Sequence, residues 1–281
     1  MNAKIVTPWH NISQLEKFLA AWRCDGSHPR LLLSPDTTGA GCANTKNAGI
    51  ARAIADGADI VIVLDDDCYP TPALLEHADP LESFALGHIA SLSAPQPVKL
   101  CSAVTKPASR GTPYFERCLP VQPAAAMGYW TNVGDYDAPA QLVRGATHPM
   151  QFRSEPMMHR FFPLSGMNVS FFASDWPWFK LVDVPRFDDI WMGFLFQRYA
   201  YETGRCIALN APSVVHSRQS NVWHNLRQEA GNLEANETIW QTIATTPWND
   251  CFSGFSDFVQ AVAERCGQDD VRRILLRHAE I

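Results

Sequence analysis

The sequence has no run of Lys or Arg, no apolar stretch near membrane-span length, and no Cys-x-x-Cys pair. Each absence removes a class of protein. A nucleic-acid-binding domain meets phosphates with a basic stripe, and the formal net charge here is −6. That disfavours a nucleic-acid partner, though it does not exclude one. A membrane helix takes about 20 apolar residues in a row, so no membrane partner is expected. The 8 Cys, at positions 24, 42, 68, 101, 118, 206, 251 and 266, are scattered singly. In a chain of this size they read as reduced thiols, which suits a cytoplasmic location. Met1 leads directly into a strand pattern, so no signal peptide is expected. Internal repeats, low-complexity tracts and an evident linker are also missing.

What is present is apolar content and strand–helix alternation. Hydrophobic residues make up 46% of the 281, enough for a sizeable core. Lys4 to Thr7 reads as a first strand. Ser13-Gln-Leu-Glu16 has the form of a capping box, followed by Leu15, Phe18, Leu19 and Trp22 at helical spacing. Leu31–Leu33 reads as a second strand, Thr45–Ala55 as a second helix, and Ala58–Leu64 as a third strand. The run Ile60-Val-Ile-Val-Leu64 is apolar throughout, as in a central parallel strand covered on both faces. This alternation predicts an α/β fold opening as a doubly wound sheet, with its ligand at the carboxyl ends of the strands. Residues from about 70 to 163 are Pro-rich and read as irregular. Phe187–Thr203 reads as a buried helix, Ile207–Val215 as a late strand ending at His216, and residues 252–281 as one or two helices. The expected organisation is a main domain over 1–250 with a helical extension over 251–281.

Asp65-Asp66-Asp67 follows the central strand directly. Adjacent carboxylates at about 6 Å repel by roughly 3 kcal/mol per pair at an effective dielectric near 20. A hard divalent cation, Mn²⁺ or Mg²⁺, reverses that sign and also holds diphosphate oxygens. A solvated acidic turn is the alternative. His216 can complete such a shell if its strand end lies beside the triplet; otherwise it is a structural histidine. Lys46 and Asn47, at the start of the second helix, suit a phosphate, or they form a plain polar helix start. Asp36 can accept hydrogen bonds from a base or ribose, or make a turn. Asp188 and Asp189 precede the buried helix, where they either complement its dipole or face a sugar. Asp135-Tyr-Asp137-Ala-Pro139 reads as a turn.

Taken in order, several segments resemble the reversibly glycosylated polypeptides, a family that includes the UDP-arabinopyranose mutases. They are Thr7-Pro-Trp-His-Asn11, Trp22-Arg23, Leu64-Asp-Asp-Asp-Cys68 and Gly128 to Val143. Further on come Ser165-Gly-Met-Asn-Val169, Arg186-Phe-Asp-Asp-Ile-Trp-Met-Gly193 and His216-Ser217, with Asn221 and Asn225-Leu226. The resemblance spans about residues 4 to 230. It implies a GT-A-like mixed sheet flanked by helices, a UDP-sugar substrate and a divalent metal held by Asp65, Asp67 and His216. It adds Asn168 to a substrate-binding set of Asp36, Lys46, Asn47, Asp65 and Asp66. The local match of Arg110-Gly-Thr-Pro-Tyr-Phe-Glu-Arg117 implies that Arg117 is the glycosylated arginine, with Asp188 and Asp189 as its catalytic neighbours. The stretch from 70 to 110 departs from the family pattern. The implied activity is UDP-sugar mutation or reversible self-glycosylation. Transfer of the sugar to an external acceptor is the alternative, and a non-catalytic binding subunit ranks third. Self-association as a homo-oligomer is compatible with the resemblance.

Overall fold

The computed structural model describes residues 1–36, 41–99, 118–145, 155–217, 221–248, 252 and 254–280. Its first half alternates as expected: β1 (Ala3–Trp9), α1 (Ile12–Ala21), β2 (Leu31–Pro35), α2 (Cys42–Ala55) and β3 (Ile60–Leu64). Next come β4 (Cys68–Pro70), α3 (Pro72–Leu75), α4 (Pro80–Ser93), β5 (Gln96–Lys99), β6 (Cys118–Val121), β7 (Pro123–Asn132) and α5 (Ala138–Arg144). After β8 (Asn168–Phe172) a 3-10 turn at Ala173–Trp178 leads to α6 (Asp188–Glu202) and β9 (Cys206–His216). The chain closes with α7 (Val222–Glu229), α8 (Leu233–Thr245), α9 (Phe255–Arg265) and α10 (Asp269–Ala279).

Seven strands form one mixed sheet in the order β2-β1-β3-β8-β7-β9-β4, and β5 pairs with β6 separately. β1 runs parallel to β2 and β3. β8 is antiparallel to both β3 and β7, and β7 is parallel to β9. This is the α/β class, a mixed sheet flanked by helices, that the sequence and its resemblance imply. The all-apolar β3 is an interior strand between β1 and β8 and is fully buried. It is parallel to its neighbour on one side only.

Three local readings are corrected. The cap of α1 is Asn11, whose side chain accepts from the Ser13 amide at 2.9 Å; the Ser13 box lies inside the helix. α2 begins at Cys42 rather than Thr45, so Lys46 and Asn47 sit in its second turn. The Pro-rich middle is not irregular throughout: its described residues include β4, α3, α4, β5, β6, β7 and α5. Pro72 and Pro80 occupy first-turn positions, where a missing N–H costs nothing. Asp79 caps α4 by accepting from the Glu82 amide at 2.8 Å. α4 then buries Leu81, Phe84, Ala85, His88 and Leu92.

A buried polar knot joins α4 to the sheet. His88 Nδ1 lies 3.0 Å from Ser170 Oγ and its Nε2 lies 3.0 Å from Asn168 Oδ1. The Asn168 amide donates to the Pro212 carbonyl at 2.9 Å. The side chain fits there because position 128 is glycine: a Cβ would stand 2.4 Å from Asn168 Nδ2 and 2.1 Å from the Pro212 oxygen. α9 docks through aromatic rings, with Trp178 5.5 Å from Phe255 and Trp248 5.2 Å from Phe258, and α10 packs on α9 with the His278 ring 5.2 Å from Phe255. Among the described residues no helix is long and apolar enough to cross a membrane.

Burial pushes the His88 pKa down to about 3, against an unfolded value near 6.5. The unfolded chain therefore takes up a proton that the fold refuses. The stability His88 contributes is complete above about pH 6.5 and is lost as pH falls towards 3. In NMR titration the folded His88 ring should not shift between about pH 8 and pH 4.5; a midpoint near 6.5 contradicts this. Asn168→Ala, which strands the His88 ring and the Pro212 carbonyl, should cost roughly 1–3 kcal/mol in urea denaturation.

Candidate functional site

The strands of the parallel half end at one cleft of about 780 Å³, within the size range of small-ligand sites. Trp9 arrives from β1, Asp36 from beyond β2, and Asp65, Asp66 and Asp67 from β3. α2 contributes Lys46, β9 contributes His216, and the start of α6 contributes Asp188 and Asp189. Asp135, Tyr136, Asp137, Arg186 and Glu229 also line it.

The acidic turn is pinned from four sides. Its entry amide, Asp65 N, donates to the Met167 carbonyl at 3.1 Å, and Cys68 N closes the turn on the Asp65 carbonyl at 3.1 Å. Gln14 of α1 donates to the Asp66 carbonyl at 2.9 Å. Ser217 N donates to the Asp67 carbonyl at 3.0 Å. Pairing of Cys68 with His216 across β4 and β9 sets the two strand ends side by side. His216 Nε2 thereby lies 3.5 Å from Asp67, and its Nδ1 lies 3.0 Å from the Val133 carbonyl.

Lys46 is the buried cation at the floor. Its ammonium is 2.7 Å from Asp65 Oδ1 and donates to the Gly166 carbonyl at 3.1 Å. The amide of the same Gly166 donates to Asp189 Oδ2 at 2.7 Å. One glycine thus links the lysine to the α6 carboxylate, and a Cβ there would stand 2.9 Å from the Asp189 Cβ. Asp65 Oδ1, in contact with Lys46, is itself fully covered, while the carboxylate as a whole remains 28% exposed to the cleft. Asp66 Oδ2 is buried with no hydrogen-bond partner.

The cleft is crowded with negative charge. Burial, reinforced by Asp67 and Asp65, pushes Asp66 up to about 7. Burial and then Asp189 push Asp188 up to about 6. Asp189 and Asp65 are raised by burial, with Lys46 opposing. For Lys46 burial works downward, but Asp65 and the other carboxylates outweigh it and hold the ammonium charged. His216 is raised because Asp67 outweighs its burial.

Such a donor set fits a hard divalent cation: carboxylate oxygens facing a cleft, a neighbouring imidazole, and buried carboxylate atoms without directed partners. The fit is not preassembled. Among the described residues no three His, Cys, Asp or Glu side chains already surround one point, and Asp65 contacts Lys46 instead.

Of the residues singled out in the sequence, Asp36, Lys46, Asp65, Asp66, Asp67, Asp188, Asp189 and His216 all line the cleft. Asn47 and Asn168 do not. Asn47 pairs with the Leu181 backbone in both directions, at 2.9 and 3.0 Å, and Asn168 belongs to the His88 knot. Arg117 and Arg110 lie outside the described residues. Sequence reading missed the Asp135 wall and Glu229. Asp137, read as part of a turn, caps α5 by accepting from the Ala140 amide at 2.7 Å. The signal for a helix start was there, an Asp followed by Ala-Pro.

Fold and cleft define an α/β protein whose main described cleft lies at the carboxyl ends of its strands and is lined by many carboxylates. The model of the reversibly glycosylated polypeptide family matches residues 57–270, so the chain belongs to that family. It is 28% identical over 242 residues to the "Probable UDP-arabinopyranose mutase 1" of Pisum sativum, covering 79% of this chain and 65% of that one. It is also 28% identical over 196 residues to the "UDP-arabinopyranose mutase 1" of Arabidopsis thaliana, covering 64% of this chain and 54% of that one. The chain thus spans between half and two thirds of the length of these relatives. Among solved structures, S. aureus TarS 1–349 in complex with UDP-GlcNAc aligns with a TM-score of 0.48 and 10% identity, over 94% of this chain and 71% of that one.

Lys46→Met leaves Asp65, Asp188 and Asp189 without their shared cation and should destabilise the fold by about 3–5 kcal/mol near neutral pH. Raised carboxylates take up protons in the folded state before the unfolded chain does. The deficit should therefore shrink as pH falls from about 8 through about 6. Denaturation curves at the two ends of that range check this; a pH-independent deficit contradicts it.

Proposed function

We propose that this protein binds a UDP-sugar in the cleft and interconverts the pyranose and furanose forms of the sugar, capturing it reversibly on an arginine. The observation that carries the reading is the convergence of Asp65, Asp67, His216 and Lys46 in one cleft at the strand ends. Family membership and the names of the relatives supply the substrate class. The free thiols at Cys24, Cys42, Cys68, Cys118, Cys206 and Cys266 support a cytoplasmic setting.

Each part of the ligand has a matching wall. The nucleoside lies towards Trp9 and Asp36, and the diphosphate towards Lys46 and the acidic turn. A Mn²⁺ or Mg²⁺ ion held by Asp65, Asp67 and His216 would supply the positive charge that this acidic site needs before a diphosphate can enter. The sugar faces Asp188 and Asp189. In the first step the bond from the anomeric carbon to the phosphate oxygen breaks, and a bond to a guanidinium nitrogen of Arg117 forms. UDP leaves with the electron pair. The guanidinium proton moves to a carboxylate, and Asp188, raised to about 6, is suited to take it and give it back near neutrality. The sugar ring then opens and recloses through a different hydroxyl. Return of UDP reverses the first step, frees Arg117 and restores its proton.

Incubation with radiolabelled UDP-arabinose and no acceptor should label the protein, and cold UDP should chase the label off. EDTA or Asp67→Ala should abolish labelling. Arg117→Lys should abolish it while leaving UDP affinity intact, because an ammonium does not reproduce the planar guanidinium. Undiminished labelling in Arg117→Lys refutes that arginine and turns attention to Arg110. Label appearing only on an added acceptor would favour external transfer.

A further inference from the structure

Glu229, the last residue of α7, is 3% exposed, yet it lines the cleft. A carboxylate so deeply placed needs partners, and Glu229 takes them from two separate segments. One oxygen accepts from the Ala138 amide at 2.6 Å, at the start of α5. The other accepts from Arg186 Nη2 at 3.0 Å and Nε at 3.2 Å. Ala138 follows the loop of Asp135, Tyr136 and Asp137. Arg186 stands two residues before Asp188. One side chain therefore ties the two segments that bring these carboxylates to the cleft.

The backbone at Arg186 adds a second observation. Its φ is +67°, a left-handed conformation that is costly without glycine and persists only where the surroundings enforce it. The guanidinium clamped on Glu229 is such an enforcement. It fixes the turn that aims the first residues of α6.

We propose that Glu229 is a positioning residue. Through Arg186 and the Ala138 amide it holds the Asp188–Asp189 turn and the Asp135–Asp137 loop at the separation a bound sugar fills. The proposal rests on the reading of the cleft as a nucleotide-sugar site. Glu229 touches no part of the ligand itself. UDP, held at the Lys46 side, should not sense it, whereas the sugar should.

Two measurements test this with Glu229→Gln, Glu229→Ala, Arg186→Gln and the double variant Arg186→Gln/Glu229→Gln. The first is amide hydrogen exchange in the ligand-free protein. Glu229→Gln should keep the Ala138 amide protected, since the side chain retains an acceptor, but should speed exchange at the start of α6 at least tenfold. Glu229→Ala should speed both segments, with α9 unchanged as the control for global unfolding. The second is calorimetric titration with UDP and with UDP-arabinose, each with Mn²⁺. Each single variant should bind UDP within twofold of wild type and lose at least tenfold in affinity for the UDP-sugar. The double variant should lose no more than either single one, the non-additivity of residues acting as a unit. Unchanged exchange in both segments, or UDP and UDP-sugar weakened equally and additively, overturns the proposal. If the wild type binds neither UDP nor UDP-arabinose, the nucleotide-sugar reading fails and, with it, the sugar-spacing role. Unchanged exchange beside normal wild-type binding defeats the positioning role alone.

Discussion

The contact on which the site depends is the one between Lys46 and Asp65, 2.7 Å apart at the floor of the cleft. Without a buried ammonium, three segments bearing carboxylates, the turn after β3, the Asp135–Asp137 loop and the start of α6, could not approach one another at acceptable cost. Lys46 reaches that point from α2, which packs directly on β1 and β2 at Gly49. Gly49 makes this approach possible, since a Cβ there would stand 2.6 Å from Val6 Cγ1. The lysine then shares the Gly166 peptide with Asp189. One cation and one glycine thereby set the distance between the turn after β3 and the start of α6.

The sheet converts this contact into a site. Parallel β1, β2 and β3 deliver Trp9, Asp36 and the acidic turn to one edge, and the β4–β9 pairing brings His216 to the same edge. Neighbouring segments hold the backbone of the acidic turn: α1 through Gln14, the residue before β8 through Met167, and the residue after β9 through Ser217. The negative charge is therefore not relaxed by movement away from its neighbours. Burial first, and the neighbouring carboxylates second, shift these carboxyl groups upward, Asp66 to about 7 and Asp188 to about 6. Perturbation of this kind is a mark of functional sites.

Much of this was legible in the sequence. The continuous apolar run of β3 announced a buried central strand, and the carboxylates after it fell where α/β sheets bind ligands. The pairing of His216 with that turn was a conditional expectation, and the strand register places the two side by side. What stayed hidden had physical causes. The prolines at 72 and 80 look like breakers, yet at the first turn of a helix they break nothing, so α4 was overlooked. Asn47 and Asn168 carry polar groups suited to a ligand, but Asn47 is taken up by the Leu181 backbone and Asn168 by the His88 ring and the Pro212 carbonyl, 134, 80 and 44 residues away, which no local pattern reveals. Glu229 is one charged residue at the end of a polar helix. Its burial follows from the docking of α7 against α5.

The most direct measurement is NMR analysis of UDP-arabinopyranose incubated with the protein and Mn²⁺. Interconversion predicts anomeric signals of UDP-arabinofuranose that grow to a constant ratio and disappear when EDTA is present. Persistence of the pyranose form alone, in a sample where UDP binding has been verified, would contradict the proposed reaction.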